Sequence, residues 1–314
     1  MLRISCRRWA VSIKAAHATR IRCTHRRDHD ADGDPIRCAD VLPASQQSRP
    51  KAASEHCKGA DYRDRVTDPL AGLIDLPDCR EAFDAARSAV DSAFRHPALR
   101  GRGTAGAIAA EVALRSAVAS AVLDDHGYDV DAVRDGTVTD AVVQGALRVA
   151  GALDGLTSTW AVAPRQALAR LHTLAARDAV PTDDLGRPRT DPAVSARLDT
   201  LANIVTGTAA PAMVVAAVVH GELLALRAFA GPYGVVARGA ARLVLIGGGL
   251  DPRGLLAVDV GHLAREPEYR GAAGAFATGT RDGLRAWLRH YATAVATAAD
   301  ELRSIAGGVV AGKR

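Results

Sequence analysis

Between His220 and Arg242 the chain reads HGELLALRAFAGPYGVVARGAAR. A polar and aliphatic helical stretch runs into a short loop rich in Gly and Pro, and a second helix leaves that loop with an arginine in its first turn. This punctuation requires two helices joined by a tight connection. Such a layout suits an anion, because free backbone N–H groups and the positive end of a helix dipole converge where the second helix starts.

The rest of the body carries the same kind of pattern. Phe83, Ala86, Val90 and Phe94 share one face of a helix predicted over Ala82–Arg95, which His96-Pro97 ends. Further helices are expected at Ala105–Leu123, Ala141–Leu153, Pro164–Arg177, Pro192–Val205, Pro211–Leu226, Val235–Ile246 and Asp282–Ile305. Ala167, Leu168, Leu171 and Leu174 form the apolar stripe of the helix that begins at Pro164, a residue suited to a first helical position. Aromatic residues make up only 4% of the chain, and its apolar content comes mostly from Ala, Val and Leu, which favours closely packed helices over a sheet. The reading is an all-α fold with one helical domain over residues 66–306 and a flexible tail over 307–314.

Residues 1–65 show no sustained helical or strand period and are expected to form a disordered basic extension. Residues 1–60 hold 12 Lys/Arg against 6 Asp/Glu, so the remaining 28 basic and 29 acidic residues leave a body near neutrality. That balance gives no electrostatic footprint for nucleic acid. Cys6, Cys23, Cys38 and Cys57 fall in the extension and only Cys79 in the body, which fits a reducing cytoplasm and no disulfide framework. The cysteines and His25, His29 and His56 lack zinc-ligand spacing, and no metal site is expected. The longest apolar run elsewhere, Pro211 to Val219, is far below the ~20 residues of a membrane span, so a cytoplasmic protein without a membrane segment is expected. Patterned sequence begins abruptly at Val66, and bacterial genes can start at a valine codon. Val66 is therefore a candidate true start.

The stretch from Arg227 to Arg238 resembles the core motif of the Fic (Fido) family, H-P-F-x-[DE]-G-N-G-R-x-x-R, with Phe229, Gly234 and Arg238 in register. Other pieces resemble the family in order and spacing: Leu171-His172 with Gly186-Arg187 upstream, His220 seven residues before Arg227, and Glu268-Tyr269 and Gly283–His290 with Trp287 downstream. The resemblance implies a multi-helix Fic-like domain and, in active members, transfer of AMP from ATP to protein hydroxyls. The residues of that chemistry are replaced here. Arg227 stands where the family has its catalytic base, and a guanidinium stays protonated at ordinary pH. Gly231 offers no carboxylate to Mg²⁺. Pro232 removes an N–H from the phosphate cradle, Tyr233 replaces Asn, and Val235 replaces a phosphate-binding arginine. ATP and Mg²⁺ are expected only if transfer activity is retained. Gly234, Arg238 and Arg227 remain as nucleotide- or anion-binding candidates, and His220, two helical turns before Arg227, as a substitute base.

The family's inhibitory pattern, [ST]-x-x-x-E-[GN], resembles Ser120-Ala-Val-Leu-Asp124-Asp125. The resemblance implies that Asp124 or Asp125 reaches Arg238 in a regulatory contact with Ser120. The usual strand pair that docks target peptides has little room, since Arg189 passes almost directly to Pro192. The expected function is a degenerate Fic-like protein that binds a protein partner or ligand. An altered Fic-type AMP transferase is the first alternative. The second is a dinucleotide-dependent oxidoreductase, because Leu243–Ile246 followed by Gly247-Gly248-Gly249 resembles a strand and a glycine-rich turn.

Overall fold

The computed structural model describes residues 68–312. The expectations placed on residues 1–65, including the extension and the start at Val66, lie outside them. Eleven α-helices and no strand occur among the described residues.

Four of the helices begin at a side chain that accepts from their first N–H groups. Asp140 accepts from the N–H groups of Val142 and Val143, Asp129 from those of Asp131 and Ala132, Asp191 from that of Ala193, and Thr280 from that of Gly283. In order, the helices are α1 (Cys79–Phe94), α2 (Arg102–Leu123), α3 (Val130–Arg134), α4 (Ala141–Val162), α5 (Pro164–Ala176) and α6 (Pro192–Gly207). They continue with α7 (Ala212–Leu226), α8 (Tyr233–Gly247), α9 (Val258–Leu263), α10 (Glu266–Ala277) and α11 (Arg281–Ala311). Single 3₁₀ turns lie at Pro97–Arg100 and Thr182–Asp184.

The apolar run that begins α7 explains the architecture. Every residue of α7 from Met213 to Leu223 is buried, as is every residue of α8 from Gly234 to Leu245. The apolar run of α7 has to lie inside; α8 packs on it at the centre, and its two arginines are buried with their partners. Helices α4, α5 and α2 close one side of α8, while α10 and α11 cover α7. Glycine lets some of these helices touch closely: a Cβ on Gly145 would run into the Ala175 carbonyl, and one on Gly261 into that of Ala294. Helix α2 is long and apolar enough to cross a membrane by length and composition alone. Half of it is buried inside the fold, however, and its Arg115 pairs with Glu301 of α11 at 2.7 Å.

Three expectations need correction. Helix α11 runs on to Ala311, five residues into the stretch expected to be a flexible tail. Helix α4 continues past Leu153 to Val162, burying Leu156 and Trp160, and Thr157 turns its hydroxyl back to the Leu153 carbonyl (3.1 Å) within it. Leu243–Ile246, the strand of the oxidoreductase alternative, lies inside α8. The three glycines terminate that helix: the Gly248 N–H bonds the Val244 carbonyl, Gly249 takes a φ of 75°, and the Asp251 N–H returns to the Leu245 carbonyl at 3.0 Å. No parallel sheet exists among the described residues to receive a dinucleotide, and that reading is abandoned.

A buried carboxylate lies nearby. Asp251 accepts from the N–H groups of Leu255 and Leu256 at 2.7 and 2.8 Å. Burial pushes its pKa up to about 6, against the pull of those N–H groups and of Arg242 and Arg253. A carboxyl with a folded pKa above its unfolded value near 3.9 binds its proton more tightly in the native state. Its contribution to stability is therefore full below about pH 4 and is lost as pH rises through about 6. Urea midpoints measured from pH 4 to 7 should show the wild type losing stability relative to Asp251→Asn across that window. Parallel profiles for the two proteins would contradict this assignment.

Candidate anion site at the helix–loop–helix

Two helices bring complementary residues together at the same spacing. On α2, Ser116 and Ser120 are four residues apart, and Asp124 follows four later at its end. On α8, Gly234, Arg238 and Arg242 repeat at the same interval. Residues four apart share one helix face, so the two rows meet as an antiparallel ladder. Arg242 Nη1 donates to Ser116 Oγ at 2.8 Å. Arg238 Nε donates to Ser120 Oγ at 2.8 Å, and its Nη2 donates both to the Ser120 carbonyl and to Asp124 Oδ1, each at 2.7 Å. At the end of the ladder stands Gly234, whose missing side chain makes room: a Cβ there would collide with the Asp124 carboxylate.

Asp124 thus occupies the start of α8. Its Oδ2 accepts the Val235 N–H at 3.3 Å while its Oδ1 accepts from Arg238. These are the groups an incoming anion would use, an early helix N–H and a nearby guanidinium. Asp125, the other candidate for this contact, points outward and pairs with Arg270 at 2.7 Å. Its backbone lies in the left-handed region (φ 68°), beyond the last regular turn of α2, which separates its direction from that of Asp124.

Arg238 is only 3% exposed. Besides Asp124 it meets the Tyr269 hydroxyl (Nη1 to Oη, 3.1 Å) and Asp259 Oδ1 at 3.6 Å. Burial works against its charge, but Asp124, Tyr269 and Asp259 outweigh it and hold its pKa above the ordinary arginine value. Ser116 donates its hydroxyl to Asp259 Oδ2, so the same carboxylate ties the Arg238 and Arg242 ends of the ladder together. The sequence reading missed Ser116, Tyr269, Arg242 and Asp259 as members of this site. The fourfold spacing would have found Ser116 and Arg242; Asp259 and Tyr269 enter from α9 and α10, with no local signal to announce them.

His220 does not face a groove. It is fully buried between Tyr269, His262, Trp287 and Tyr291. Its Nε2 lies 3.1 Å from Tyr269 Oη, which already accepts from Arg238, so the tyrosine O–H donates to the imidazole. Burial, with the charges of Arg238 and His290, pushes the His220 pKa well below the usual histidine range. It packs against aromatic rings and supports Tyr269, and no substrate hydroxyl can reach it as a base.

The loop between α7 and α8 is anchored on its other side. Phe229 is buried and stacks on His172 with ring centroids 4.8 Å apart. His172 Nδ1 accepts the Gly186 N–H at 3.0 Å, which leaves Nε2 to donate to the Ala230 carbonyl at 2.9 Å. One buried imidazole thereby ties α5, the Gly186 turn and the loop together, and burial lowers its pKa. Glu222 likewise holds structure, accepting from Arg197 Nε at 2.7 Å. The chain that leaves the Gly186 turn runs along the loop as a single segment, with the Arg189 N–H on the Ala228 carbonyl at 2.8 Å. Arg227 closes α7 in the left-handed conformation (φ 45°, ψ 50°), is exposed, and lies over the Tyr233 ring at 5.3 Å. Gly231 and Val235, the residues expected at the motif's acid and first arginine, lie on either side of the start of α8. The first is exposed backbone with a φ of 67°, and the second is buried.

A central pair of buried helices, a tight loop between them and a buried arginine early in the second helix define the fold. That fold is the Fic fold. A Fic family protein from Desulfovibrio desulfuricans G20 superposes with a TM-score of 0.59 at 20% identity, over 73% of this chain and 74% of that one. Fic-1 (residues 134–508) from C. elegans superposes with a TM-score of 0.56 at 16% identity, over 72% of each chain. No protein-family profile matches the sequence, and no curated protein matches it significantly.

Proposed function

We propose that this Fic-fold protein does not transfer AMP by the usual route and acts instead by binding a partner or ligand, with its anion site closed from within by Asp124. The observation that carries this reading is the Asp124 carboxylate itself, bonded at once to the Arg238 guanidinium and the Val235 N–H. A phosphate would have to displace a carboxylate that sits there at the concentration of a tethered group. Little would reward the exchange. Val235 supplies no second guanidinium, Gly231 supplies no metal ligand, and Pro232 supplies no N–H. Arg227 cannot take a proton, and His220 is out of reach.

Calorimetric titration with ATP and Mg²⁺ tests this reading. The wild type should give no saturable heat below the millimolar range, while Asp124→Ala should bind ATP at least tenfold more tightly than the wild type through the freed Arg238. Micromolar binding of ATP by the wild type would overturn the closed site.

A further inference from the structure

We infer that the exposed rim of the loop, built on Arg189 and Arg227, docks an acidic peptide segment of a protein partner. This inference rests on the partner-binding reading above and gives that partner a chemistry.

Both guanidiniums are held in place by groups other than carboxylates. Arg189 donates from Nε to the Arg227 carbonyl (3.0 Å) and from Nη2 to the Leu226 carbonyl (2.9 Å), so it caps the negative end of α7. Arg227 rests on the face of Tyr233. Both residues are exposed, and neither forms an ion pair with a described residue. Their charges are therefore fixed in direction and uncompensated, unlike those of Arg80, Arg87 or Arg134, each of which meets a carboxylate. An arginine ordered before binding loses less freedom when it binds.

The backbone at Arg227 supplies a separate argument. A left-handed residue closing a helix is usually glycine, and a residue with a Cβ costs about 1–2 kcal/mol there. That cost falls on the residue that places a cation at the loop mouth, and strain of this kind concentrates where a side chain has work to do. Planar guanidiniums bind carboxylates with two parallel hydrogen bonds. Two of them, one on the carbonyl end of α7 and one on the Tyr233 ring, are exposed on the same loop and joined through the Arg189 Nε to Arg227 carbonyl bond. An extended chain with successive Asp or Glu side chains can follow such a rim. The body beyond residue 60 carries 28 basic and 29 acidic residues, so no wider positive field draws in nucleic acid.

Fluorescence polarisation of a labelled eight-residue Glu-rich peptide against the full chain tests the rim. Arg227→Gly and Arg189→Gln provide the comparison. Arg227→Gly suits the left-handed backbone and should leave Tm equal or higher, which separates lost binding from lost fold. Each variant should weaken the peptide at least tenfold, and a Lys-rich peptide should not bind. Unchanged affinity in both variants would overturn the inference and assign any binding to the basic segment at residues 1–60. A single-stranded oligonucleotide that binds more tightly than the peptide and loses affinity in both variants would overturn it in favour of nucleic acid. ATP transfer activity in the wild type would sink the proposed function and leave this result standing.

Discussion

Arg238→Met is expected to destabilise the protein by about 3–5 kcal/mol, the range for breaking a buried ion pair by removing one partner. The guanidinium is 3% exposed and serves Asp124, the Ser120 hydroxyl and carbonyl, and the Tyr269 hydroxyl. Methionine fills much of the volume and answers none of these groups. Asp124 would keep only the Val235 N–H, and Asp259 would lose its nearest guanidinium on this side. Adding Asp124→Asn should recover a substantial part of the loss, because an uncharged amide is less costly to leave unpaired than a carboxylate. Urea denaturation of the wild type, the two single variants and the double variant gives the coupling. Additive losses would mean that the two side chains do not act on each other.

Trp287→Ala should cost a similar amount, about 3–5 kcal/mol, as for other large aromatic truncations in cores. In a domain of this size that lowers Tm by roughly 6–20 °C. Trp287 is 0% exposed and donates its indole N–H to the Ala217 carbonyl at 2.7 Å. It also forms one wall of the cluster around His220, with ring centroids 5.1 Å apart. Its seat on α7 exists because residue 221 is glycine: a Cβ there would come within 2.8 Å of the indole nitrogen. Truncation would leave a void beside His220 and free the Ala217 carbonyl. Because His220 supports Tyr269, and Tyr269 meets Arg238, the same variant should loosen the ladder. Amide exchange at Ser120 and Val235 should then accelerate more than exchange in α5, which lies away from the cluster. A loss confined to less than about 1 kcal/mol would contradict the central place given to this indole.

Much of the fold could be read in the sequence, because its signals are local. Pro164 and Pro192 mark first helical positions, and Asp140 and Asp191 act as caps just ahead of apolar periodicity. The helix expected at Pro211–Leu226 is α7, within a residue at its start. Two of the segments that escaped, α9 and α10, depend on distant partners. Helix α9 spans only Val258–Leu263, too short to display a period, and it is held in place by Gly261 against the Ala294 carbonyl. Helix α10 carries Ala and Gly where a stripe of larger residues would have announced it, and it presents Tyr269 and Phe276 to the core.

The site was legible in part for the same reason. The family resemblance implied that an upstream carboxylate pairs with Arg238, but the choice between Asp124 and Asp125 turns on a helix face. The rows Ser116–Ser120–Asp124 and Gly234–Arg238–Arg242 contain that choice, provided both are read in steps of four. His220 shows the limit. Its spacing from Arg227 suggested a place beside the loop, whereas α7 turns it into the aromatic cluster.

The central claim is that the anion site is closed by Asp124 and that opening it does not restore the chemistry. The direct test is incorporation of label from α-phosphate-labelled ATP with Mg²⁺, in the wild type and in Asp124→Ala, read as self-modification and as modification of added protein. Both proteins should remain unlabelled, since removing Asp124 frees Arg238 but supplies neither a base nor a metal ligand. Stoichiometric labelling by Asp124→Ala would show that the chain retains a working transferase and that Asp124 merely restrains it.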